Sequence, residues 1–445
     1  MSATPSPDPR GPTSEARGPR PQARLRVALV HDWLTGMRGG EKVLDAICEL
    51  FPDAPLFTLV HVKGSVSPRI ESRRITTSFA QLLPGVRRFY RQYLPLYPGL
   101  TEAFDLDAYD LVISSSHCAV KSVVTAGAVH VCYCHSPMRY AWDRFDEYFG
   151  PARVGPATSR AARPIMAALA RWDAATAYRP HRFLANSQYV AGRIRRYYNR
   201  RSTVVYPPVD TDFYRPAEDA DVSVRPAANF LAVSALVPYK RLAVAVDACR
   251  KVRVPLRIAG TGPELPRLQQ LGGDGVVFLG WRSDEEIRRL YREATAVLLP
   301  GVEDFGMVPV EAQACGTPVV ALDAGGARET VIDGLTGFLA ADPSLDAFAD
   351  ALNRAMQTRL DPAALRTHAL RFSRPRFLAE FAAAVNDAVS NRINPTGYFE
   401  PSAARVPPGD NPALSAARVP PGDNPALSAA RWPPGGNPAP RENEE

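Results

Sequence analysis

No stretch of this 445-residue sequence stays apolar for the roughly 18 residues that a bilayer-spanning helix needs, so the chain is expected to be soluble or peripheral to a membrane. Cysteine is scarce as well. The six thiols at positions 48, 118, 132, 134, 249 and 315 are scattered, and residues 1–23, rich in Pro, Arg, Ser and Gly, hold no apolar core for a signal peptide. A disulfide framework is therefore not expected, and a reducing cytoplasm is the default location. Zinc-like spacing is also missing: the CYCH cluster at 132–135 has no second ligand pair, and Cys132 and Cys134 lie in an apolar run that reads as a buried strand. No zinc-finger or RNP pattern occurs and the arginines form no single basic arm, so the net charge of +7 suits an anionic partner other than nucleic acid.

What is present is the composition of a globular protein with more than one core, 46% hydrophobic and 22% charged. The two ends depart from it. Residues 1–23 read as a disordered tail, and residues 393–445 carry a thirteen-residue Pro-rich repeat, "SAARVPPGDNPAL", too poor in apolar side chains to stack into a core. Between them short β-branched runs alternate with helix-like segments, as in "LRVALVHDW" followed by "GGEKVLDAICELF" and "NFLAVSAL" followed by "KRLAVAVDACRKV". Such alternation predicts parallel sheets covered on both faces. A Pro-rich, acidic stretch at 206–226 divides the pattern into an N-terminal domain, 24–205, and a C-terminal domain, 227–370, with a last helix at 371–392.

Two open α/β domains place ligands at the carboxyl ends of their strands, with a cleft between them for a larger substrate. The stretch "PGVEDFGMVPVEAQACGTPVVALDAGG" at 300–326 is read in that light. Glu303 and Glu311 stand eight positions apart; on one continuous helix they would diverge by roughly 80°. With Glu303 on the loop after strand "AVLLPG" and Glu311 in the second turn of a helix opened by Gly306 and Met307, both reach one ligand lying across the helix start. Free N–H groups at that start favour a phosphate, and the spacing suits a nucleotide diphosphate.

The same stretch, continued as "GGARETVIDGLTGFL", resembles the nucleotide-sugar signature of family 4 retaining glycosyltransferases, which have the GT-B fold: two Rossmann-like parallel-sheet domains facing a cleft. The resemblance runs over nearly all of 24–392 and includes "HDWLTGMRGGEKVL", "FLANSQYV", "VVYPPVDTDFY" and "FLGWRSDEEI". The versions "CHSPMRYAWD" and "SALVPYKR" are most similar to GDP-mannose-dependent mannosyltransferases of bacterial surface polysaccharide assembly.

The resemblance implies an acceptor domain first and a donor domain second. It gives Glu311 to the donor ribose, Glu303 to the transferred sugar, and the backbone of Gly306, Met307 and Val308 to sugar and diphosphate. Lys240 would neutralise the diphosphate. Many family members carry an Arg five residues before that lysine where this chain has Ala235, which leaves more of the task to Lys240 and its neighbour Arg241. Gly39 and Gly40 match the glycine loop that approaches the donor phosphates, and His135 matches the histidine beside the sugar and acceptor. No metal and no cofactor beyond the sugar nucleotide is implied. His117, Lys121, His31 and Asp32 also fall at strand ends, Asp32 being a plausible cap for a loop.

Residues 69–97 hold six arginines against one glutamate, interleaved with Phe89, Tyr90, Tyr93 and Tyr97. That mixture suits a surface for anionic lipid or a lipid-linked saccharide acceptor; a solvated helix face with the aromatics turned inward fits the composition equally. The expectation is a cytoplasmic enzyme, peripheral on the inner membrane face, moving mannose onto a lipid-linked glycan. A GT-B epimerase or hydrolase of nucleotide sugars, and a non-catalytic nucleotide-sugar-binding scaffold, are the alternatives.

Overall fold

A computed structural model describes residues 25–217 and 228–393; both tails, the repeats and the middle of the Pro-rich divider lie outside the described residues. The first sheet comprises β1 (Val27–Leu34), β2 (Leu56–His61), β3 (Ile75–Thr77), β4 (Leu111–Ser116), β5 (Val129–Cys134), β6 (Arg182–Ala185) and β7 (Ser202–Val204). The second comprises β8 (Phe230–Val233), β9 (Leu256–Ala259), β10 (Val276–Gly280), β11 (Ala296–Leu299), β12 (Val319–Leu322) and β13 (Gly337–Ala340). Nearly every residue of β1, β2, β4, β5, β11 and β12 is buried, as strands covered on both faces require.

All pairings are parallel, and the orders are β3-β2-β1-β4-β5-β6-β7 and β10-β9-β8-β11-β12-β13. Each sheet thus reverses direction of growth beside its first strand, between β1 and β4 and between β8 and β11. Crevices outside the carboxyl ends of strands at such points are where doubly wound folds take ligands.

The chain crosses between the domains twice, and the crossings are tied together. Val209 N–H donates to Phe372 O at 2.9 Å and Arg374 N–H donates to Val209 O at 3.1 Å, a short parallel bridge. Beyond it the Arg374–Ile393 helix returns to the first sheet. Phe377, Phe381 and Val385 pack into the core with Leu29, Leu44, Ile47 and Tyr133. Burying two Phe side chains there contributes about 3–6 kcal/mol. Arg374 also donates to Asp45 at 2.8 Å and Glu49 at 2.7 Å on the Gly39–Leu50 helix.

The basic segment folds as short helical turns on either side of β3. Tyr90 and Tyr97 are buried against Trp33, whereas Arg87, Arg88 and Arg91 are exposed. Cys132 and Cys134, two apart on β5, share one face and pack with Ala177, Phe183, Val190 and Ile194. Burial pushes the Cys132 thiol up to about 12.

Candidate functional site

The second sheet supplies one wall of the cleft. After β8 the chain makes a short turn, Pro238–Lys240, and after β11 it reaches Glu303. These two loops touch because residue 301 is glycine: a β-carbon there would stand 2.6 Å from Tyr239 O and 2.8 Å from Lys240 Cα. The Lys240 ammonium forms an ion pair with Glu303, both side chains being more than four-fifths buried. Burial alone would pull the ammonium down, but Glu303 and Tyr239 more than offset it and hold it above the usual lysine value.

Three residues on, Gly306 adopts φ 88° and turns the chain into the Met307–Ala314 helix. Pro309 falls in the first turn, where a missing N–H costs nothing, so Met307 and Val308 carry free donors at the helix start. Glu311, in the second turn, is buried. It accepts from Tyr291 Oη at 3.0 Å and lies 3.4 Å from Lys42 Nζ, which reaches across from the first domain. Asp284 lies 3.6 Å from the same ammonium.

The facing wall comes from β1 and β5. Gly39 and Gly40 open the helix after β1; a β-carbon on Gly39 would stand 3.3 Å from Met307 Sδ, and one on Gly40 would stand 3.8 Å from His135 Nε2. His135 follows β5, its carbonyl accepting from Asn186 Nδ2 at 3.0 Å. Burial, with His117 and His31 nearby, pulls its imidazole well below the usual histidine value. Gly39 against Met307, Gly40 against His135, Lys240 against Glu303, and Glu311 against Lys42 thus bring these predicted residues together where the two domains face each other, with Gly306 and Val308 beside Met307. Arg241 follows Lys240 with its side chain exposed and its backbone left-handed at φ 53°.

Two strand-end residues serve the scaffold. Lys121 turns inward, its ammonium 3.0 Å from Asp173 Oδ1 and donating to Asp173 O at 2.6 Å. Asp32 is fully buried and accepts from four successive backbone N–H groups, those of His117, Cys118, Ala119 and Val120, at 2.7–3.0 Å. Loop residue His117 packs edge-on against Trp33, and burial first, then His31, pulls it down to about 3.

Further residues that no sequence pattern singled out close the walls on each other. Arg139 forms an ion pair with buried Asp304, and Ser187 Oγ donates to Asp304 O at 2.6 Å. Glu329 of the second domain accepts from Gln188 N–H at 2.7 Å and Tyr189 N–H at 2.9 Å, capping the Gln188–Tyr198 helix of the first. An anionic carboxylate at a helix N-terminus is favoured by the free N–H groups there. Glu329 sits three residues past the paired glycines 325 and 326, and that proximity to the quoted motif was its one visible signal.

Residues 38–213 match the sequence model of Glycosyltransferase Family 4, and residues 223–371 match that of Glycosyl transferases group 1. The chain joins these two domains in a GT-B fold. Solved GT-B structures overlay it over most of its length: Anabaena HepE in complex with UDP-glucose covers 81% of this chain and 99% of its own at TM-score 0.60 and 22% identity. Sucrose-phosphate synthase from Thermosynechococcus elongatus covers 83% and 98% at TM-score 0.57 and 19% identity. At these identities the likeness concerns the fold.

Among curated relatives, a D-inositol 3-phosphate glycosyltransferase of Mycolicibacterium smegmatis is 34% identical over 47% of this chain and 54% of its own. That of Mycobacterium marinum is 31% identical over 46% and 50%. This GT-B chain spans about half the length of the curated relatives it matches.

Proposed function

We propose that the protein is a retaining glycosyltransferase that moves a hexose, mannose from GDP-mannose, onto a lipid-linked glycan acceptor. The observation that carries this reading is the convergence of two switch-point crevices on one cleft. Glu303, Lys240 and Glu311 stand on one wall, with His135 and the Gly39–Gly40 helix start opposite. In this reading Glu311 holds the ribose hydroxyls. Lys240 and the N–H groups of Met307 and Val308 take up charge on the departing diphosphate, which is electrostatic stabilisation of a leaving group. Glu303, held by Lys240, faces hydroxyls of the transferred sugar, and His135 lies on its other side.

In this reading the two glutamates, which come from the same domain, both serve as binding groups, which differs from the facing carboxylates of a glycoside hydrolase. The donor wall and the opposed wall together favour transfer over a scaffold role, and the sugar nucleotide is the one small molecule the chemistry requires. The mannose and GDP assignments rest on the "CHSPMRYAWD" and "SALVPYKR" stretches. A site built to pair with one base leaves buried groups unpaired when offered another.

The acceptor assignment draws support from the first domain's outer face. Phe79 and Leu82 are 69% and 74% exposed, and Arg87, Arg88 and Arg91 are exposed on the turns that follow. Apolar side chains beside guanidinium groups suit the interface of an anionic membrane, where a lipid-linked acceptor is presented at the inner face. Among the described residues no helix is long and apolar enough to cross a membrane. The relatives' names favour a second acceptor, D-inositol 3-phosphate, which is the competing arm of the test.

The test is a thermal-shift donor screen followed by NMR of the product. GDP-mannose should raise the melting temperature more than UDP-glucose or UDP-N-acetylglucosamine, because a ligand bound only by the folded state stabilises it. The product should carry an α linkage. A UDP-sugar that stabilises best overturns the donor, a β linkage overturns the retaining mechanism, and transfer to inositol phosphate alone overturns the lipid-linked acceptor.

A further inference from the structure

Behind the first wall of the cleft runs a chain of polar side chains shielded from solvent: Glu41, His31, Ser115 and His135. Its links are His31 Nε2 to Glu41 Oε1 at 3.8 Å, His31 Nδ1 to Ser115 Oγ at 3.1 Å, and Ser115 Oγ to His135 Nε2 at 2.8 Å. At its far end Glu41 Oε2 accepts from Arg38 N–H at 3.0 Å, which fixes the carboxylate in the capping box of the Gly39–Leu50 helix. Burial pushes the Glu41 carboxyl up, but His31, His117 and Arg38 more than offset it and keep it below the usual range.

Each link has a direction. His31 Nε2 is buried with no hydrogen-bond partner among the described residues and faces the Glu41 carboxylate. A lone pair on that nitrogen would be repelled by the carboxylate and a proton attracted, more strongly out of water than in it. A neutral His31 then carries its proton on Nε2 and accepts at Nδ1 from the Ser115 hydroxyl. A serine hydroxyl has one hydrogen to give. Ser115 therefore presents a lone pair to His135 Nε2, and the hydrogen on that bond belongs to His135.

We propose that Glu41 is a positioning residue that, through His31 and Ser115, holds His135 in its Nε2-protonated tautomer with Nδ1 bare. The described residues give His135 hydrogen bonds at Nε2, at its carbonyl and at its backbone N–H, and none at Nδ1, which leaves that nitrogen for a sugar hydroxyl. The functional consequence rests on the glycosyltransferase reading; the tautomer does not. The orientation matters because a bare nitrogen accepts from a hydroxyl, whereas a protonated one competes to donate.

Glu41→Gln tests the chain by reversing it. Arg38 N–H keeps the amide oxygen, so the amide NH2 turns toward His31 Nε2 and must find a lone pair there. The His31 proton moves to Nδ1 and donates to Ser115, and Ser115 donates to His135 Nε2. His135 then carries its proton on Nδ1.

The readout is 15N NMR of the full chain labelled at histidine, with His135 assigned by loss of its signals in His135→Gln. The wild type should show His135 protonated at Nε2 and unprotonated at Nδ1, and Glu41→Gln should show the opposite. Ser115→Ala should give a mixture that adding Glu41→Gln no longer changes. Should Glu41→Gln fail to fold, wild type and Ser115→Ala still decide the matter. A wild-type His135 protonated at Nδ1, a doubly protonated His31, or a His135 tautomer indifferent to both substitutions would overturn the proposal.

Transfer adds a separate arm. Glu41→Gln should lower kcat by about tenfold, the scale of exchanging a hydrogen-bond acceptor for a donor, with a smaller change in KM for the sugar nucleotide. Unchanged kcat alongside a reversed tautomer would overturn the positioning role. If the wild type transfers no hexose from any donor, the functional reading fails while the tautomer result stands.

Discussion

Asp32→Asn removes a buried charge without changing shape, and the structure sets the size of the effect. Asp32 Oδ2 accepts from the N–H groups of His117 and Cys118 at 2.7 and 2.9 Å, and Oδ1 from those of Ala119 and Val120 at 2.7 and 3.0 Å. An amide keeps one carbonyl oxygen, so whichever way it turns, its NH2 confronts two backbone N–H groups. Hydrogen bonds to a charged acceptor are worth about 1.5–3 kcal/mol each. Losing two of them costs roughly 3–6 kcal/mol, and we take about 4 kcal/mol because the loop relaxes. That is a large part of the ~5–15 kcal/mol by which domains are stable. At about 2–4 °C per kcal/mol for a domain of this size, the first domain should melt roughly 8–16 °C lower. The assay is a thermal melt with hydrogen-exchange mass spectrometry of the peptide covering residues 117–120, whose amides should lose protection. An Asp32→Asn protein that melts within about 2 °C of wild type, with that peptide still protected, would refute the reasoning.

The Lys240–Glu303 pair gives a pH signature. The Lys240 value is raised in the folded state, so its stabilisation is complete below the ordinary lysine value of about 10.5 and is lost as pH climbs through the raised one. The stability gap between wild type and Lys240→Met should be flat from neutral pH to about 9 and shrink above 10.5, as denaturant midpoints across that range would reveal. Glu329→Ala removes the cap on Gln188 and Tyr189 N–H and should open the domains; small-angle scattering should show a larger radius of gyration and sugar-nucleotide affinity should fall about tenfold, and identical scattering would count against the contact as a closure clamp. Replacing Arg87, Arg88 and Arg91 by Gln should weaken binding to anionic vesicles, and added salt should reproduce the loss in the wild type. Vesicle binding that responds to neither change would mean that these guanidinium groups do not meet lipid.

The sequence alone was enough for the parallel α/β alternation, because a strand's β-branched run and a helix's apolar period are written in neighbouring residues. It also placed Glu303 on a loop and Glu311 in a second helical turn, since Gly306 and the preceding apolar run punctuate the chain locally. Asp32 as a loop cap was legible from an acid at the end of an apolar strand. For the basic segment composition left two readings, and packing sent Tyr90 and Tyr97 into the core while the arginines stayed outside.

Tertiary structure alone decided which residues meet across the cleft. Lys42 and Glu311 are 269 positions apart, Arg139 and Asp304 165, and Tyr189 and Glu329 140. No period or spacing links such pairs, because their encounter depends on how two separately wound sheets are oriented rather than on any local backbone preference. The same holds for Lys121, whose place at a strand end suited a ligand as well as a core. Its ammonium turned inward because Asp173, arriving on a helix 52 residues later, offered a buried carboxylate and carbonyl there. The last helix is the largest case: its sequence announced a helix, but the Val209–Ser373 bridge carries it back to the first domain, where Phe377 and Phe381 find the apolar face that sheet leaves uncovered.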